Sequence, residues 1–254
     1  MLDKVGKCTE IVLRTSADIL HVLSLVTLLV KMKRTRSCSG ISLKAQILYL
    51  TVYIWRYTDL VYFFLYTKKM LTQYRFIYNG IMKVVFISLQ SNVIYKMMRD
   101  YFYSYDSEYD DTPISYMIIF SLVSGGFLFK IPEASSNRFI RGVIEWMWAS
   151  SVVLESVSIL PQLTLLNKAG EGETLTIHYV LFLGLYRLIY MLIWVFKWAT
   201  TRVLASHLLL WGAVLQTLIY TELFMVYIKS FVAKGRIFKV NPKRFLYDAL
   251  SLKK

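Results

Sequence analysis

Apolar residues occur along the chain in seven long runs that are separated by short polar segments. The runs cover roughly residues 14–31, 44–66, 76–97, 114–129, 139–165, 177–198 and 206–229. About 20 mostly apolar residues are enough for a helix to cross the hydrocarbon core of a bilayer. The pattern therefore predicts an all-α membrane protein with seven transmembrane helices, in which residues 1–254 form a single polytopic domain.

Composition supports a membrane protein and excludes several other classes. Of the 254 residues, 56% are hydrophobic and 18% are charged, whereas soluble domains average about 45–50% and about 25%. A net charge of +14 is typical of nucleic-acid-binding proteins. Here most of the positive charge flanks the apolar runs, so we expect no nucleic-acid partner. Cys8 and Cys38 are too few for a disulfide framework and lack zinc-site spacing, so we expect no metal and no cofactor.

The distribution of basic residues between the connecting segments predicts the orientation in the membrane. Cytosolic loops carry an excess of Lys and Arg, and the bias favours a luminal N-terminus and a cytosolic C-terminus. Residues 1–13 then form a short luminal N-terminus, and residues 230–254 form a basic cytosolic tail. The tail charges either set the topology alone or also contact a coat protein or membrane lipid.

The charged residues inside the apolar runs are the most informative feature, because each costs at least about 2.5–3.5 kcal/mol at the centre of a membrane helix. On four predicted helices they recur with aromatic residues at intervals of three or four, which places them on one face of each helix. The stripes are Arg14, Asp18 and His21 on the first helix, Arg56 and Asp59 on the second, Glu145, Trp148 and Glu155 on the fifth, and Tyr186, Tyr190, Trp194 and Lys197 on the sixth. We expect them to surround a cavity that opens to the lumen and closes toward the cytosol.

These charges have two interpretations. Lys83, Arg187 and Glu222 are typical of structural ion pairs that tie helices together, whereas the cavity-facing set exceeds what helix docking needs. A ring of three cations and two carboxylates suits a short zwitterionic peptide better than a sugar. The chain has no HExxH or GxSxG motif, and its charged residues include no nucleophile–base pair. We therefore do not expect an enzyme.

His21 is the only histidine well inside a predicted span. It is either a hydrogen-bonded packing residue or a group that titrates between mildly acidic and neutral compartments. The second role requires partners that respond to its charge, and the deeper Tyr186 and Glu155 are the candidates.

Two helix hairpins resemble each other and predict an internal repeat. Residues 36–57 and 161–187 each contain a short polar loop with a basic residue, followed by a helix with neighbouring Arg and Tyr. Weak repetition of this kind is typical of membrane folds built from two related halves. We expect spans one to three and five to seven to form two parallel-related triple-helix bundles that the fourth span joins.

Several sequence blocks resemble the KDEL-receptor family, whose members return escaped luminal proteins from the Golgi to the ER. The blocks are Ser37–Gln46, Arg56–Leu60, Leu154–Leu163, Gly170–Tyr179 and Gly184–Tyr190, within a resemblance that runs from about Arg14 to Ile228. The family fold is similar to that of SWEET-type, or PQ-loop, sugar transporters, with seven helices in two triple-helix bundles. The resemblance implies a multi-pass protein of the ER and Golgi membranes that binds the C-terminal tetrapeptide Lys/His-Asp-Glu-Leu of luminal proteins.

The resemblance also implies which residues read this peptide. Arg56 and Tyr57 would bind the terminal carboxylate, and Asp59 would hold the arginine in place. Arg14 would face the ligand Glu, and Trp194 with Lys197 would face the ligand Asp. Glu145 and Trp148 would face the ligand's cationic residue, and Tyr190 completes the set. The family has Arg where this chain has Lys197, which keeps the charge but loses the bidentate geometry.

In the mechanism that the resemblance implies, protonation of His21 in the acidic Golgi rearranges His21, Tyr186 and Glu155 and favours a ligand-bound closed state. That state would expose Lys234 and Arg236 of the tail to the retrograde coat. Loss of the proton at the neutral pH of the ER would then release the ligand. A small-molecule or proton-coupled transporter on the same SWEET-like fold is the alternative function.

Overall fold

The computed structural model describes residues 2–58, 74–129, 138–169, 171–172, 174–201, 212, 214–215, 217–221 and 238–239. Within these residues the chain forms seven α-helices and very little else. The helices are α1 (Leu2–Thr35), α2 (Leu43–Arg56), α3 (Tyr74–Arg99), α4 (Ile114–Leu128), α5 (Arg138–Val157), α6 (Leu160–Ala169) and α7 (Thr174–Thr201). A short 3₁₀ turn covers Phe102–Ser104, and two antiparallel two-residue strands, β1 (Glu171–Gly172) and β2 (Phe238–Lys239), pair with each other.

Three helical stretches in the described part of the chain are long and apolar enough to cross a membrane. They are Thr9–Thr35, Arg138–Leu166 and His178–Phe196, and Ile114–Leu128 is a shorter apolar helix. The prediction of an all-α membrane protein is therefore confirmed. The number of spans stays a prediction, because most of the seventh apolar run lies outside the described residues.

Local sequence explains where several of these helices begin and break. The Oγ of Ser42 accepts a hydrogen bond from the backbone N–H of Ala45, which satisfies a free donor of the first turn and starts α2. The fifth apolar run is divided into α5 and α6 by a turn at Ser158 and Ile159. Pro161 is the second residue of α6, and because its nitrogen carries no hydrogen it is tolerated in the first turn of a helix but not in its interior.

The helices pack in neighbouring pairs around two clusters of buried apolar residues. The most extensive contact is that of α1 with α7, while α2 lies against both α3 and α5, and α4 packs on α5. The last contact is close at Gly125, where an added Cβ would lie 2.7 Å from the backbone nitrogen of Ser150. A glycine at this position therefore permits the α4–α5 approach.

The outer faces of the helices are apolar. Phe127 of α4 and Phe139 of α5 are 86% and 83% exposed, and exposed apolar surface on this scale is typical of contact with a membrane. Inside, a buried apolar layer closes one end of the bundle; its members include Leu28, Met32, Met97, Ile159, Leu163 and Leu166. The polar cavity described next lies on the other side of this layer along the helices.

Candidate functional site

A polar cavity of about 470 Å³ opens between α1, α2, α3, α5 and α7. Its size falls within the roughly 300–1,000 Å³ of typical ligand pockets. The lining residues are Arg14, Asp18, His21, Tyr53, Arg56, Tyr57, Asn79, Met82, Lys83, Phe86, Trp148, Val152, Glu155, Tyr186, Arg187, Tyr190, Trp194 and Gly212. Every one of the four predicted stripes contributes to this list.

Most of the predicted site residues that the structure describes come together at this cavity. They are Arg14, His21, Arg56, Tyr57, Trp148, Glu155, Tyr186, Tyr190 and Trp194. Glu145 is described and half-buried, but it is not among the lining residues. Asp59, Lys234 and Arg236 lie outside the described residues, and so does the side chain of Lys197, whose backbone belongs to α7. The roles assigned to all these residues stay predictions.

One buried carboxylate holds two guanidinium groups at the floor of the cavity. Oε2 of Glu155 lies 2.6 Å from Nη1 of Arg56, and Oε1 accepts a hydrogen bond from Nη2 of Arg187. Nε of Arg56 also donates to Oγ of Ser151 at 3.2 Å. The pairing of Arg187 agrees with the sequence expectation of a structural ion pair, whereas the pairing of Arg56 with Glu155 was not predicted.

Arg56 keeps a donor that nothing in the described chain satisfies. Its Nη2 atom is buried, yet it has no hydrogen-bond partner among the described residues. Buried polar atoms in native proteins are nearly always hydrogen-bonded, so an unpaired one needs an explanation. A donor of this kind in a cavity is suited to a ligand oxygen, and a carboxylate forms the strongest such bond with a guanidinium.

His21 is held by stacking and by one hydrogen bond. Its ring stacks on Tyr186 at 4.2 Å between centroids, with planes 3° apart, and on Phe86 at 4.4 Å. Its Nε2 lies 2.6 Å from the hydroxyl oxygen of Tyr53. Tyr186 was expected as a neighbour, but Tyr53 was not. The sequence did carry a signal, since Tyr53 precedes Arg56 by three positions and shares its helix face.

Asp18 is the acceptor for two tyrosine hydroxyls that come from different helices. Tyr78 of α3 donates to Oδ2 at 2.9 Å, and Tyr190 of α7 donates to Oδ1 at 2.8 Å. The carboxylate therefore joins α1, α3 and α7 on the side of the cavity that Arg14 also lines. Tyr78 was not predicted as a partner of Asp18, because the two residues lie on different helices and only the distance between their side chains shows the contact.

The cavity carries an excess of positive charge. Four of its described lining residues are cationic and two are carboxylates: Arg14, Arg56, Lys83 and Arg187 against Asp18 and Glu155. Two of the cations also face aromatic rings, with Nζ of Lys83 5.3 Å from the ring centre of Tyr57 and Cζ of Arg187 4.4 Å from that of Tyr186. Such a cavity favours a ligand with negative charge.

Metal binding has no support in the part of the chain that the structure describes. No group of three or more His, Cys, Asp or Glu side chains comes together there. Cys38 is a free, buried thiol.

Comparison with known proteins gives a consistent result. A family model described as ER lumen protein retaining receptor matches residues 37–197. The ER lumen protein-retaining receptor of Drosophila melanogaster is 37% identical over 228 residues, which covers 89% of this chain and 96% of that protein. The receptor of Entamoeba histolytica is 36% identical over 85% of this chain and 92% of its own length. Human ER lumen protein-retaining receptor 2 is 33% identical, with 89% and 96% covered.

Proposed function

The chain belongs to the ER lumen protein-retaining receptor family, and from this premise we propose that it binds the C-terminal Lys/His-Asp-Glu-Leu-type signal of luminal proteins and returns them from the Golgi to the ER. The family is one of receptors, which confirms the prediction that the chain is not an enzyme. It also supports a membrane protein of the ER and Golgi that retains luminal proteins.

The observation that carries the peptide-binding proposal is the unpaired Nη2 of Arg56 in a cation-rich cavity. A free peptide C-terminus offers two carboxylate oxygens, so it satisfies this donor and forms a charge-assisted bond of about 2.7–2.9 Å. Tyr57 is the next residue and also lines the cavity, and its hydroxyl is a second donor for the same group. A peptide whose terminus is amidated lacks the charge that this pair requires.

The charges of the whole signal also suit the cavity. With a free terminus the tetrapeptide has three negative charges, which exceed its positive charge, and the cavity has the opposite excess. In our assignment Arg14 contacts the ligand Glu, Trp194 with Lys197 contacts the ligand Asp, and Trp148 contacts the cationic first residue. Glu145, three residues earlier on α5, adds negative charge near this end of the peptide without lining the cavity. The ring of Trp148 at the cavity wall supports the last of these assignments, because tryptophan provides the best surface for a cation.

We also propose that binding depends on pH through His21. Either neutral tautomer of the imidazole can form the observed bond to Tyr53, as donor or as acceptor. The imidazolium can only donate, so the Tyr53 hydroxyl must then accept and the second N–H needs a new partner. Arg56 and Arg187 line this region, and the nearby carboxylate of Glu155 is already paired with both of them, so the extra positive charge is better tolerated when ligand carboxylates are present. Linkage then requires tighter peptide binding at acidic pH.

The topology and the remaining partners belong to the same proposal. We place the N-terminus in the lumen and the tail of residues 230–254 in the cytosol, with seven spans between them. In this arrangement Lys234 and Arg236 contact the retrograde coat, and the basic tail also adjoins anionic membrane lipid.

The test is the affinity of the purified protein for a fluorescent Lys-Asp-Glu-Leu peptide between about pH 5.5 and about pH 7.5, the range in which histidine titrates. The proposal predicts clearly tighter binding at the acidic end. Equal affinity across this range would contradict the pH-dependent part of it. Transport of the peptide or of a small solute into proteoliposomes would instead favour the transporter alternative. The observation on its side is that buried polar pairs, such as Tyr49 with Tyr220, continue below the cavity.

A further inference from the structure

Two loops meet at the end of the bundle that lies away from the cavity. One is residues 36–42 between α1 and α2, here called the serine loop, and the other is residues 100–113 between α3 and α4, here called the acidic loop. Along α1 the serine loop begins 15 residues after His21, which is roughly 22 Å at 1.5 Å per residue. Along α3 the acidic loop likewise begins well beyond Phe86, the last residue of that helix at the cavity.

Two carboxylates of the acidic loop accept hydrogen bonds from the serine loop. Oδ2 of Asp106 accepts from Oγ of Ser39 at 2.7 Å and from the backbone N–H of Gly40 at 2.8 Å. Oδ1 of Asp110 accepts from Oγ of Ser42 at 2.8 Å. Carboxylates that receive several N–H and O–H donors in this way form strong, charge-assisted bonds.

Asp110 is the more deeply placed of the two. It is 1% exposed, and it also accepts from the backbone N–H of Lys44 at 3.2 Å and from the hydroxyl of Tyr105 at 2.7 Å. Burial, followed by this bond to Asp110, raises the pKa of Tyr105 well above its usual range. The carboxylate therefore has donors from the serine loop, from the start of α2 and from its own loop.

A third element ties the serine loop to the bundle. The side-chain amide of Gln162 in α6 accepts a bond from the backbone N–H of Ser42 at 2.9 Å and donates to the carbonyl of Gly40 at 2.8 Å. At the other edge the hydroxyl of Tyr103 donates to the carbonyl of Arg36 at 2.5 Å. The serine loop is thus bonded both to α6 and to the acidic loop.

The layer below these loops is buried and mostly apolar. Cys38 of the serine loop is 0% exposed, its backbone N–H donates to Oγ of Ser104 at 2.9 Å, and burial raises the pKa of its thiol. Met32, Met97 and Leu166 belong to the same buried apolar cluster as Cys38. Water that entered from this end would have to displace both the loops and the apolar layer.

We propose that Asp106 and Asp110 form an intramolecular latch, which holds the acidic loop over the serine loop and closes the bundle at the end away from the cavity. The cavity is then accessible from one side only. A binding protein can keep this arrangement permanently, whereas a transporter must open the other side once in each cycle. The latch depends on side chains that lie far from the ligand residues, so it stands whether or not the tetrapeptide is the ligand.

Cys38 provides a built-in reporter for this latch. The chain has two cysteines, so in a Cys8→Ser background Cys38 is the only thiol. The experiment measures the rate at which N-ethylmaleimide labels Cys38 in the purified full-length protein, followed by intact mass. We expect slow labelling without further change, and at least tenfold faster labelling in D106A and in D110A, because each substitution leaves two or more serine-loop or α2 donors without their acceptor.

Matched variants keep this test decisive. Asp100→Asn changes an exposed carboxylate of the same loop that pairs only with Lys96 among its described partners, and it should leave the labelling rate unchanged. Should the alanine variants fail to fold, D106N and S39A are milder and should still accelerate labelling several-fold. Labelling of the folded variants within twofold of the Cys8→Ser background would overturn the latch, and so would an equal acceleration by Asp100→Asn.

Discussion

Replacement of Arg56 by glutamine tests the proposed carboxylate site most sharply. The substitution removes the guanidinium, including the unpaired Nη2, and leaves a shorter, neutral amide side chain. Loss of one partner from a buried, hydrogen-bonded charge pair costs about 2–5 kcal/mol. The side chain of Arg56 is 23% exposed, so we take the lower limit of about 2 kcal/mol, which corresponds to roughly a 30-fold increase in the Kd for the free-acid peptide.

The fold should survive this substitution. Glu155 is held by Arg187 as well as by Arg56, so its carboxylate keeps one cationic partner when Arg56 is lost. Arg56→Lys retains the charge but not the planar fork of donors, and we expect its affinity to lie between those of the unmodified protein and R56Q. Arg99→Gln is the matched control, since Arg99 is an exposed arginine at the far end of α3.

Fluorescence polarisation at about pH 5.5 with a labelled Lys-Asp-Glu-Leu peptide measures these affinities, and the thermal unfolding midpoint Tm verifies the fold of each variant. The reasoning fails if R56Q, correctly folded, binds the peptide within threefold of the unmodified protein. It also fails if R99Q weakens binding as much as R56Q does, because the effect would then be one of general charge.

Three further substitutions test other parts of the structure. E155Q leaves the largely buried guanidinium of Arg187 and the partly exposed one of Arg56 without their anion. We therefore expect a loss of about 3 kcal/mol in unfolding free energy, the lower limit for a broken buried pair, seen as a markedly lower Tm; an unchanged Tm would contradict the ion-pair geometry. His21→Phe keeps the stacking on Tyr186 but removes the titrating nitrogen, so the ratio of peptide affinities between about pH 5.5 and about pH 7.5 should approach one, and a ratio that persists would assign the pH dependence to another group. Gly125→Ala places a methyl group against the backbone of Ser150 and should lower the unfolding free energy by about 1–3 kcal/mol, while Gly80→Ala, where an added Cβ meets nothing within 4 Å, serves as its control.

The helices and the cavity were largely predictable because both depend on periodic signals. The apolar run at residues 139–165 matches the helical stretch Arg138–Leu166, and the run at 177–198 contains the stretch His178–Phe196. Intervals of three and four residues place side chains on one helix face. That is why Arg14, His21 and Arg56 could be assigned to a common cavity before any distance was known.

Contacts between helices were harder to predict, because they depend on how far each helix is rotated and shifted against its neighbours. Glu145 shows the limit: it shares an approximate stripe with Trp148, but an interval of three residues turns the helix by about 300° rather than a full turn, and only Trp148 lines the cavity. Tyr53 as the partner of His21 and Tyr78 as a partner of Asp18 were missed for the same reason, because both contacts depend on how neighbouring helices are rotated and shifted against each other. The acidic loop has no periodic pattern, so its bonds to the serine loop emerge only from the structure.

The central claim is that the cavity binds a free peptide C-terminus, and the comparison of a free-acid Lys-Asp-Glu-Leu peptide with its C-terminal amide tests this claim directly. The two peptides differ only in the group that we assign to Arg56 and Tyr57. By isothermal titration at about pH 5.5, the acidic end of the range over which histidines switch charge, the free acid should bind at least tenfold more tightly than the amide. Equal affinity for the two peptides would contradict the account.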